Sequence, residues 1–168
     1  FSDASDFTDD SVLTFAVADC LLHGRDYAAA IPEYALAYPD RGYGGMFSRW
    51  LDAGARGPYN SFGNGSAMRV SPVGFLFDSE ERVLEEARKS AAVSHDHPEG
   101  IKGAQAVALA VFLARTARDK SLIRRSGAER FGYDMNRTVD SIRPTYKFDA
   151  TCPGSVPEAI IAFLDSDD

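Results

Sequence analysis

The sequence has few cysteines, few histidines and no long hydrophobic run. Its two cysteines, Cys20 and Cys152, are too few and too far apart for a disulfide framework, and this favours a reduced, cytoplasmic compartment. The longest apolar stretch, residues 104–114, is interrupted by Gln105. Because a membrane-spanning helix needs roughly 18 or more apolar residues in a row, we expect no membrane segment.

Positive charge is also scarce. The 168 residues include 18 Lys and Arg against 25 Asp and Glu, a net charge of −7. This balance argues against nucleic-acid binding, which depends on clustered positive charge. The hydrophobic fraction of 45% and the charged fraction of 26% are typical of a globular protein rather than a disordered one. The length allows one domain, so we expect a single domain over residues 1–168.

Helical periodicity dominates the pattern. Apolar residues recur at helical spacing from Val12 to Leu21 and stop at His23-Gly24, which predicts a first helix with Thr8, Asp9 and Asp10 at its amino end. Further helices are predicted over residues 27–38, 45–55, 78–93 and 104–117. The third of these opens at the capping pair Asp78 and Glu81, and a last helix opens at the capping pair Ser155 and Glu158. Residues 56–74 and 95–103 are predicted loops. No stretch alternates as a strand does, so the predicted fold class is all-α.

Thr8, Asp9 and Asp10 form the first candidate site. Two adjacent carboxylates and a hydroxyl are hard oxygen ligands that suit Mg²⁺ or Mn²⁺. Helix capping is the competing interpretation, because Thr and Asp are favoured at the amino end of a helix. The apolar residues that follow place the acidic pair near the interior, where like charges call for a cation.

The glycine-rich segment at residues 63–69, Gly-Asn-Gly-Ser-Ala-Met-Arg, is the second candidate. Glycines around a small polar residue allow backbone N–H groups to converge on an anion. A helix starting at Ser66 would add partial positive charge for a phosphate. A tight Asn-Gly turn, or a plain loop between helices, is the alternative.

The third candidate runs from Ser94 to Gly100 and contains His95 and His97 beside Asp96 and Glu99. Histidines next to carboxylates suggest a transition metal. However, the chain has only three histidines and no Cys-x-x-Cys or His-Glu-x-x-His pattern. A loop histidine that hydrogen-bonds a ligand or a helix end is therefore favoured over a zinc site.

Together these segments resemble the ADP-ribosylglycohydrolase family, the enzymes related to dinitrogenase reductase-activating glycohydrolase. The similarity runs from Ser2 to the last residue and keeps several motifs in order. The motifs are residues 7–14 (Phe-Thr-Asp-Asp-Ser-Val-Leu-Thr), Gly42-Tyr43-Gly44, residues 63–69, and Ser94-His95 leading into Gly103-Ala104.

The resemblance implies an all-helical fold around two Mg²⁺ or Mn²⁺ ions. It implies that Thr8, Asp9 and Asp10 are metal ligands, with Asp9 and Asp10 at the catalytic centre. The substrate-binding residues that it implies are Gly44, Gly63, Asn64, Gly65, Ser66, Met68 and His95. The implied reaction is hydrolysis of the glycosidic bond between ADP-ribose and a protein side chain or small acceptor. A non-catalytic ADP-ribose-binding or scaffold protein of the same fold is the alternative.

The sequence departs from the family pattern at both ends. The family has an earlier glycine-rich helix with an acidic residue, which would lie upstream of Phe1, and a later Asp-x-Asp-Thr/Ser motif with further metal ligands. Residues 165–168, Asp-Ser-Asp-Asp, imitate that motif, but the helix before them resembles one that precedes the true motif by some distance. We therefore expect the chain to be a fragment of a longer domain, with a reduced relative of the family as the alternative.

Overall fold

The regular structure of the chain is helical. The computed structural model describes Ser2 and residues 5–167, and these residues contain no strand beyond an isolated bridge between Gly63 and Thr151. This confirms the all-α prediction. The ten helices of the described residues are α1 Asp9–His23, α2 Tyr27–Ala37, α3 Gly45–Asp52, α4 Gly65–Met68, α5 Ser71–Leu76, α6 Glu80–Ala92, α7 Pro98–Thr116, α8 Lys120–Glu129, α9 Val139–Ile142 and α10 Cys152–Asp165. None of them is both long enough and apolar enough to cross a membrane.

The first helix follows the prediction closely. It starts after Thr8 and ends at His23. The next residue, Gly24, has a left-handed backbone φ of 65°, a conformation that glycine adopts without a steric penalty. The Gly24 N–H donates to the Cys20 carbonyl and so closes the last turn. The apolar face of α1 is buried against α2 and α5, and this fixes the position of its acidic amino end.

The long helix α7 forms the centre of the fold. It packs against α4, α5, α6, α8 and α10, and small residues on its surface allow these neighbours to approach closely. A Cβ on Gly103 would lie 2.4 Å from the Cys152 Sγ, and a Cβ on Gly74 would lie 2.5 Å from the Ala108 carbonyl oxygen. A second, smaller apolar cluster joins α1, α2 and α3.

Both predicted loops are wrong in part. Residues 56–74 contain the helix α4 and the start of α5, and α7 starts at Pro98, inside the predicted loop at residues 95–103. Proline fits the first turn of a helix, and the His97 imidazole caps that turn by accepting the Glu99 N–H. The glycines of this segment weaken helix propensity, but tertiary packing overrides it.

Two predicted caps are also wrong. Helix α6 is capped by the hydroxyl of Ser79, which accepts the Arg82 N–H, rather than by Asp78. Helix α10 starts at Cys152 under a cap from Thr151. Ser155 therefore lies inside α10, where its hydroxyl donates to the Thr151 carbonyl at 2.6 Å.

Candidate active site

One cavity brings distant parts of the chain together. Its volume is about 350 Å³, within the range of small-molecule sites. Its walls come from the starts of α1 and α3, residues 59–65, the segment after α6 and residues 150–151. The proposed site residues that line it are Asp9, Gly44, Gly63, Asn64, Gly65, Met68 and His95.

Asp9 gives the cavity its acidic corner. Its backbone N–H donates to the Arg41 carbonyl at 2.8 Å, which holds the segment before Gly44 against the start of α1. Gly42 lies beside the Asp9 carboxylate and has a φ of 90°, which glycine tolerates. Asp9 is half-buried. Burial, and then the charge of Asp10, raise the pKa of Asp9 above its usual value.

Thr8 and Asp10 flank Asp9 on the exposed side. The Thr8 hydroxyl donates to the Asp10 carboxylate at 3.0 Å and makes no capping hydrogen bond to α1, so the capping interpretation does not describe Thr8. Both residues are exposed and neither lines the cavity. The expectation of an acidic pair near the interior therefore holds for Asp9 only.

These three residues fit one side of a site for a divalent cation. They supply hard oxygens, and a cation would offset the burial of Asp9 and its repulsion by Asp10. Within residues 5–167, no group of three or more His, Cys, Asp or Glu side chains is arranged to hold a metal. Thr8, Asp9 and Asp10 are fewer than an octahedral ion requires, so water or further ligands would complete the shell.

The glycine-rich segment is built differently from a phosphate-binding nest. The Gly63 N–H donates to the Ser61 hydroxyl, and the Asn64 N–H donates to the Ala150 carbonyl. Both donors are therefore engaged within the protein, which corrects the nest interpretation at these two positions. A Cβ on Gly65 would lie 3.0 Å from the His95 Nε2, and one on Gly63 would lie 3.6 Å from it. The glycines thus make room for an imidazole.

Asn64 and Ser66 fasten this segment to the helices beneath it. The Asn64 side-chain amide donates to the Ser155 hydroxyl at 3.1 Å, and Asn64 precedes α4 rather than forming a hairpin turn. The Ser66 hydroxyl is buried and donates to the Gly100 carbonyl at 2.8 Å. Ser66 does not line the cavity. Its side chain is thus directed towards α7, which differs from the substrate contact predicted from the sequence.

His95 lies under the glycine segment and is almost fully buried. Burial, and then the positive charge of Arg69, lower the pKa of His95 to about 3, so the imidazole is neutral near pH 7. Its Nδ1 lies 2.8 Å from the Ser94 hydroxyl, and its ring contacts Tyr59. The side chains of Asp96 and His97 form hydrogen bonds within the protein. The Asp96 carboxylate accepts the Asn60 N–H at 2.7 Å, and His97 caps α7.

The neutral state of His95 predicts a pH-dependent stability. Below pH 6.5 the unfolded chain binds a proton on this residue that the native protein rejects until about pH 3. The free energy of unfolding should therefore fall as the pH drops through this window, by about 1.4 kcal/mol per pH unit at most. Between pH 6.5 and pH 4.5, the free energy of unfolding measured by urea denaturation should fall by roughly 2 kcal/mol less in His95→Gln than in the wild-type chain. Equal pH effects in the two proteins would contradict the buried, neutral assignment.

One wall of the cavity is aromatic, and sequence reasoning missed it. Phe47, Tyr59 and the half-exposed Phe62 line this wall. Ring contacts at 5.2–5.8 Å connect Phe47 to Trp50, Trp50 to Tyr59, and Tyr59 to His95. Trp50 also donates from Nε1 to the Gly57 carbonyl at 2.7 Å, which holds the indole ring that Phe47 and Tyr59 contact. A flat aromatic or sugar ring is the kind of group that such a wall can stack against.

Arg69 is the other residue that the sequence did not single out as functional. It is fully buried and lines the cavity. Within the described residues its hydrogen-bond partners are neutral: the Ser94 hydroxyl and the Ser90 carbonyl. Burial lowers the pKa of the guanidinium to about 10. The available signal was an arginine within an apolar stretch, between Met68 and Val70.

The acidic tail has a structural environment away from the cavity. The Asp165 carboxylate accepts the Val139 N–H at 2.8 Å and pairs with Arg124 at 3.5 Å. Asp165 does not line the cavity, as expected for a segment that only imitates a metal-binding motif. Asp168 lies outside the described residues.

Comparison with known proteins identifies relatives over most of the chain. A model of the ADP-ribosylglycohydrolase family matches residues 1–163. The chain is 35% identical over 127 residues to ADP-ribosylhydrolase ARH3 of Mus musculus, a match that covers 64% of this chain and 34% of that protein. ARH3 of Homo sapiens shares the same identity, with 35% of its length covered. ARH3 of Danio rerio is 32% identical over 130 residues, with 34% covered. The match therefore spans about a third of the length of these relatives.

Proposed function

The chain belongs to the ADP-ribosylglycohydrolase family, and from this premise we propose that it binds ADP-ribose as part of a metal-dependent hydrolase. The proposed reaction cleaves the glycosidic bond between ADP-ribose and a protein side chain or small acceptor. The observation that carries the proposal is the cavity itself. It sets the half-buried Asp9 at one wall and His95, beneath the glycine segment, at another.

Thr8, Asp9 and Asp10 are proposed to hold Mg²⁺ or Mn²⁺. When bound, such an ion would orient the hydroxyls of the terminal ribose and polarise a water molecule. The raised pKa of Asp9 supports this assignment, because a half-buried carboxylate beside a second carboxylate gains stability from a cation. The negative charge of this corner also favours an oxocarbenium-like transition state at the anomeric carbon.

The remaining cavity residues are proposed to bind the rest of ADP-ribose. Phe47, Tyr59 and Phe62 offer a surface for the adenine or a ribose ring. His95 offers one ring nitrogen next to Gly63 and Gly65. Gly44 lies in open space at the cavity mouth, with nothing within 4 Å of the position of a Cβ, so its backbone can be approached closely by a diphosphate.

An assay of ADP-ribose release tests the proposed reaction. The chain is incubated with ADP-ribosylated serine and arginine peptides, with Mg²⁺, with Mn²⁺ or with EDTA, and free ADP-ribose is quantified by mass spectrometry. We expect release from at least one peptide, dependent on the metal. Absence of release, together with absence of ADP-ribose binding in calorimetry, would overturn the proposal.

A non-catalytic ADP-ribose-binding protein is the second candidate. It is favoured by the small number of candidate metal ligands, because Thr8, Asp9 and Asp10 are fewer than an octahedral ion requires. Titration calorimetry with ADP-ribose, with and without Mg²⁺, separates the two candidates. Binding without turnover of either peptide supports this second function, whereas metal-dependent turnover supports the first.

A further inference from the structure

A buried hydrogen-bond chain runs from Arg69 through Ser94 to His95, and both Arg69 and His95 line the cavity. The Arg69 Nη1 and Nη2 atoms each lie 3.2 Å from the Ser94 Oγ, and this oxygen lies 2.8 Å from the His95 Nδ1. Arg69, Ser94 and His95 are all buried. Water therefore cannot rearrange these hydrogen bonds freely, and their directions follow from which atoms carry hydrogen.

The directions can be counted from the chemistry of the three side chains. A guanidinium has donors and no acceptor, so Arg69 must donate to the Ser94 oxygen. Ser94 has one hydroxyl hydrogen, and the His95 Nδ1 is the acceptor within hydrogen-bond distance of it. The Ser94 oxygen already accepts from the two Arg69 Nη atoms, and a hydrogen on the His95 Nδ1 would be a third donor directed at it. The hydroxyl hydrogen of Ser94 would then have no acceptor. The His95 Nδ1 therefore accepts.

We propose that Arg69 and Ser94 are positioning residues that hold His95 in the neutral tautomer with its hydrogen on Nε2, so that His95 donates a hydrogen bond into the cavity. The tautomer follows from the three side chains alone. The identity of the acceptor, an oxygen of ADP-ribose, rests on the proposed function. In this role His95 cannot take a proton at Nε2 and therefore does not serve as a general base.

The surroundings of Nε2 fit a donor that is kept for a ligand. It faces Gly63 and Gly65, where a Cβ would lie 3.6 Å and 3.0 Å away. A side chain at Gly65 would crowd the nitrogen. Phosphate and ribose oxygens are strong acceptors. A ligand rich in such oxygens therefore pairs with a protonated His95 Nε2 rather than with an unprotonated one.

Arg69 also makes a hydrogen bond to the backbone of α6, outside the chain from Arg69 to His95, and this bond guides the choice of variants. Its Nη2 donates to the Ser90 carbonyl at 2.6 Å near the end of α6. Replacing Arg69 would therefore disturb α6 as well as Ser94. Ser94→Ala breaks the chain at its centre, and Ser94→Thr keeps the hydroxyl. Ser90→Ala is the matched control, because the buried Ser90 hydroxyl has no hydrogen-bond partner among the described residues.

The test is a long-range ¹H–¹⁵N correlation spectrum of the imidazole nitrogens at pH 7, with His95 assigned by its loss in His95→Gln. In the wild-type chain we expect Nδ1 at the shift of an unprotonated nitrogen and Nε2 at that of a protonated one. Ser94→Ala should shift both nitrogens towards a mixture of tautomers. Ser94→Thr should restore the wild-type pattern, and Ser90→Ala should leave it unchanged. A protonated Nδ1 in the wild-type chain would overturn the inference even if no variant folds.

Calorimetry with ADP-ribose measures the consequence for binding. We expect Ser94→Ala to bind about tenfold more weakly than the wild-type chain, and Ser90→Ala to bind equally well. The two proposals fail in different ways. If the wild-type chain does not bind ADP-ribose but shows the Nε2–H tautomer, the proposed function fails and the assignment of the tautomer stands. If it binds ADP-ribose with a protonated Nδ1, or if Ser94→Ala leaves the nitrogen shifts unchanged, this inference fails and the function stands.

Discussion

Asp9→Asn is expected to lower the turnover of an ADP-ribosylated peptide by about 10³-fold or more. Asparagine keeps the size of the side chain, and the backbone bond from residue 9 to the Arg41 carbonyl does not depend on it. The change removes one negative charge from the proposed metal ligands. It therefore also weakens the proposed stabilisation of the oxocarbenium-like transition state. Because burial and Asp10 already disfavour the ionised form of Asp9, the variant should be at least as stable as the wild-type chain without metal.

One measurement separates this effect from misfolding. Thermal denaturation should show a rise of the midpoint with Mg²⁺ in the wild-type chain, because an ion that binds only the native state stabilises it. That rise should be absent in Asp9→Asn. Asp52→Asn is the matched control, since Asp52 is the exposed last residue of α3 and does not line the cavity. Wild-type turnover and an unchanged response to Mg²⁺ in Asp9→Asn would contradict the assignment of Asp9 as a metal ligand.

The parts of the fold that were predictable are those with local signals. Helix α1 has an uninterrupted apolar period, acidic residues at its start and a glycine at its end, and both of its ends were predicted from these features. The absence of strand patterning predicted the fold class. For the cavity, the sequence named residues from distant segments, and the structure brings Asp9, Gly65 and His95 to the same cavity.

The parts that were not predictable depend on packing between distant residues. Helices α4 and α5 are too short to show a period, and the early start of α7 is stabilised by neighbours that the sequence does not place. The glycines at 63 and 65 suggested phosphate binding by their spacing. In the structure they accommodate the ring of His95, which lies 30 residues or more along the chain. For Arg69 the sequence offered an arginine within an apolar stretch, but it does not show that the hydrogen-bond partners of this arginine are neutral and buried.

Gly100→Ala should show how tightly the start of α7 packs against the segments that carry Ser61 and His95. Gly100 is in the first turn of α7, and a Cβ there would lie 2.6 Å from the Ser61 carbonyl oxygen and 2.9 Å from the His95 carbonyl oxygen. Both atoms belong to the backbone and cannot rotate away. Alanine favours a helix by about 1 kcal/mol, but overpacking against fixed backbone costs about 3 kcal/mol or more. We expect a net loss of about 2 kcal/mol or more in the free energy of unfolding, measured by urea denaturation.

The same substitution should also weaken ADP-ribose binding, because the two carbonyls belong to segments that line the cavity. Gly44→Ala is the informative contrast. Gly44 precedes α3 with a φ of −60°, and nothing lies within 4 Å of the position of a Cβ. We expect this variant to lose about 1 kcal/mol of stability at most, while its methyl group enters the space proposed for the diphosphate and weakens binding. If Gly44→Ala binds ADP-ribose as the wild-type chain does, the diphosphate does not lie against Gly44. If Gly100→Ala unfolds at the wild-type urea midpoint, Ser61 and His95 are not held against α7 as described.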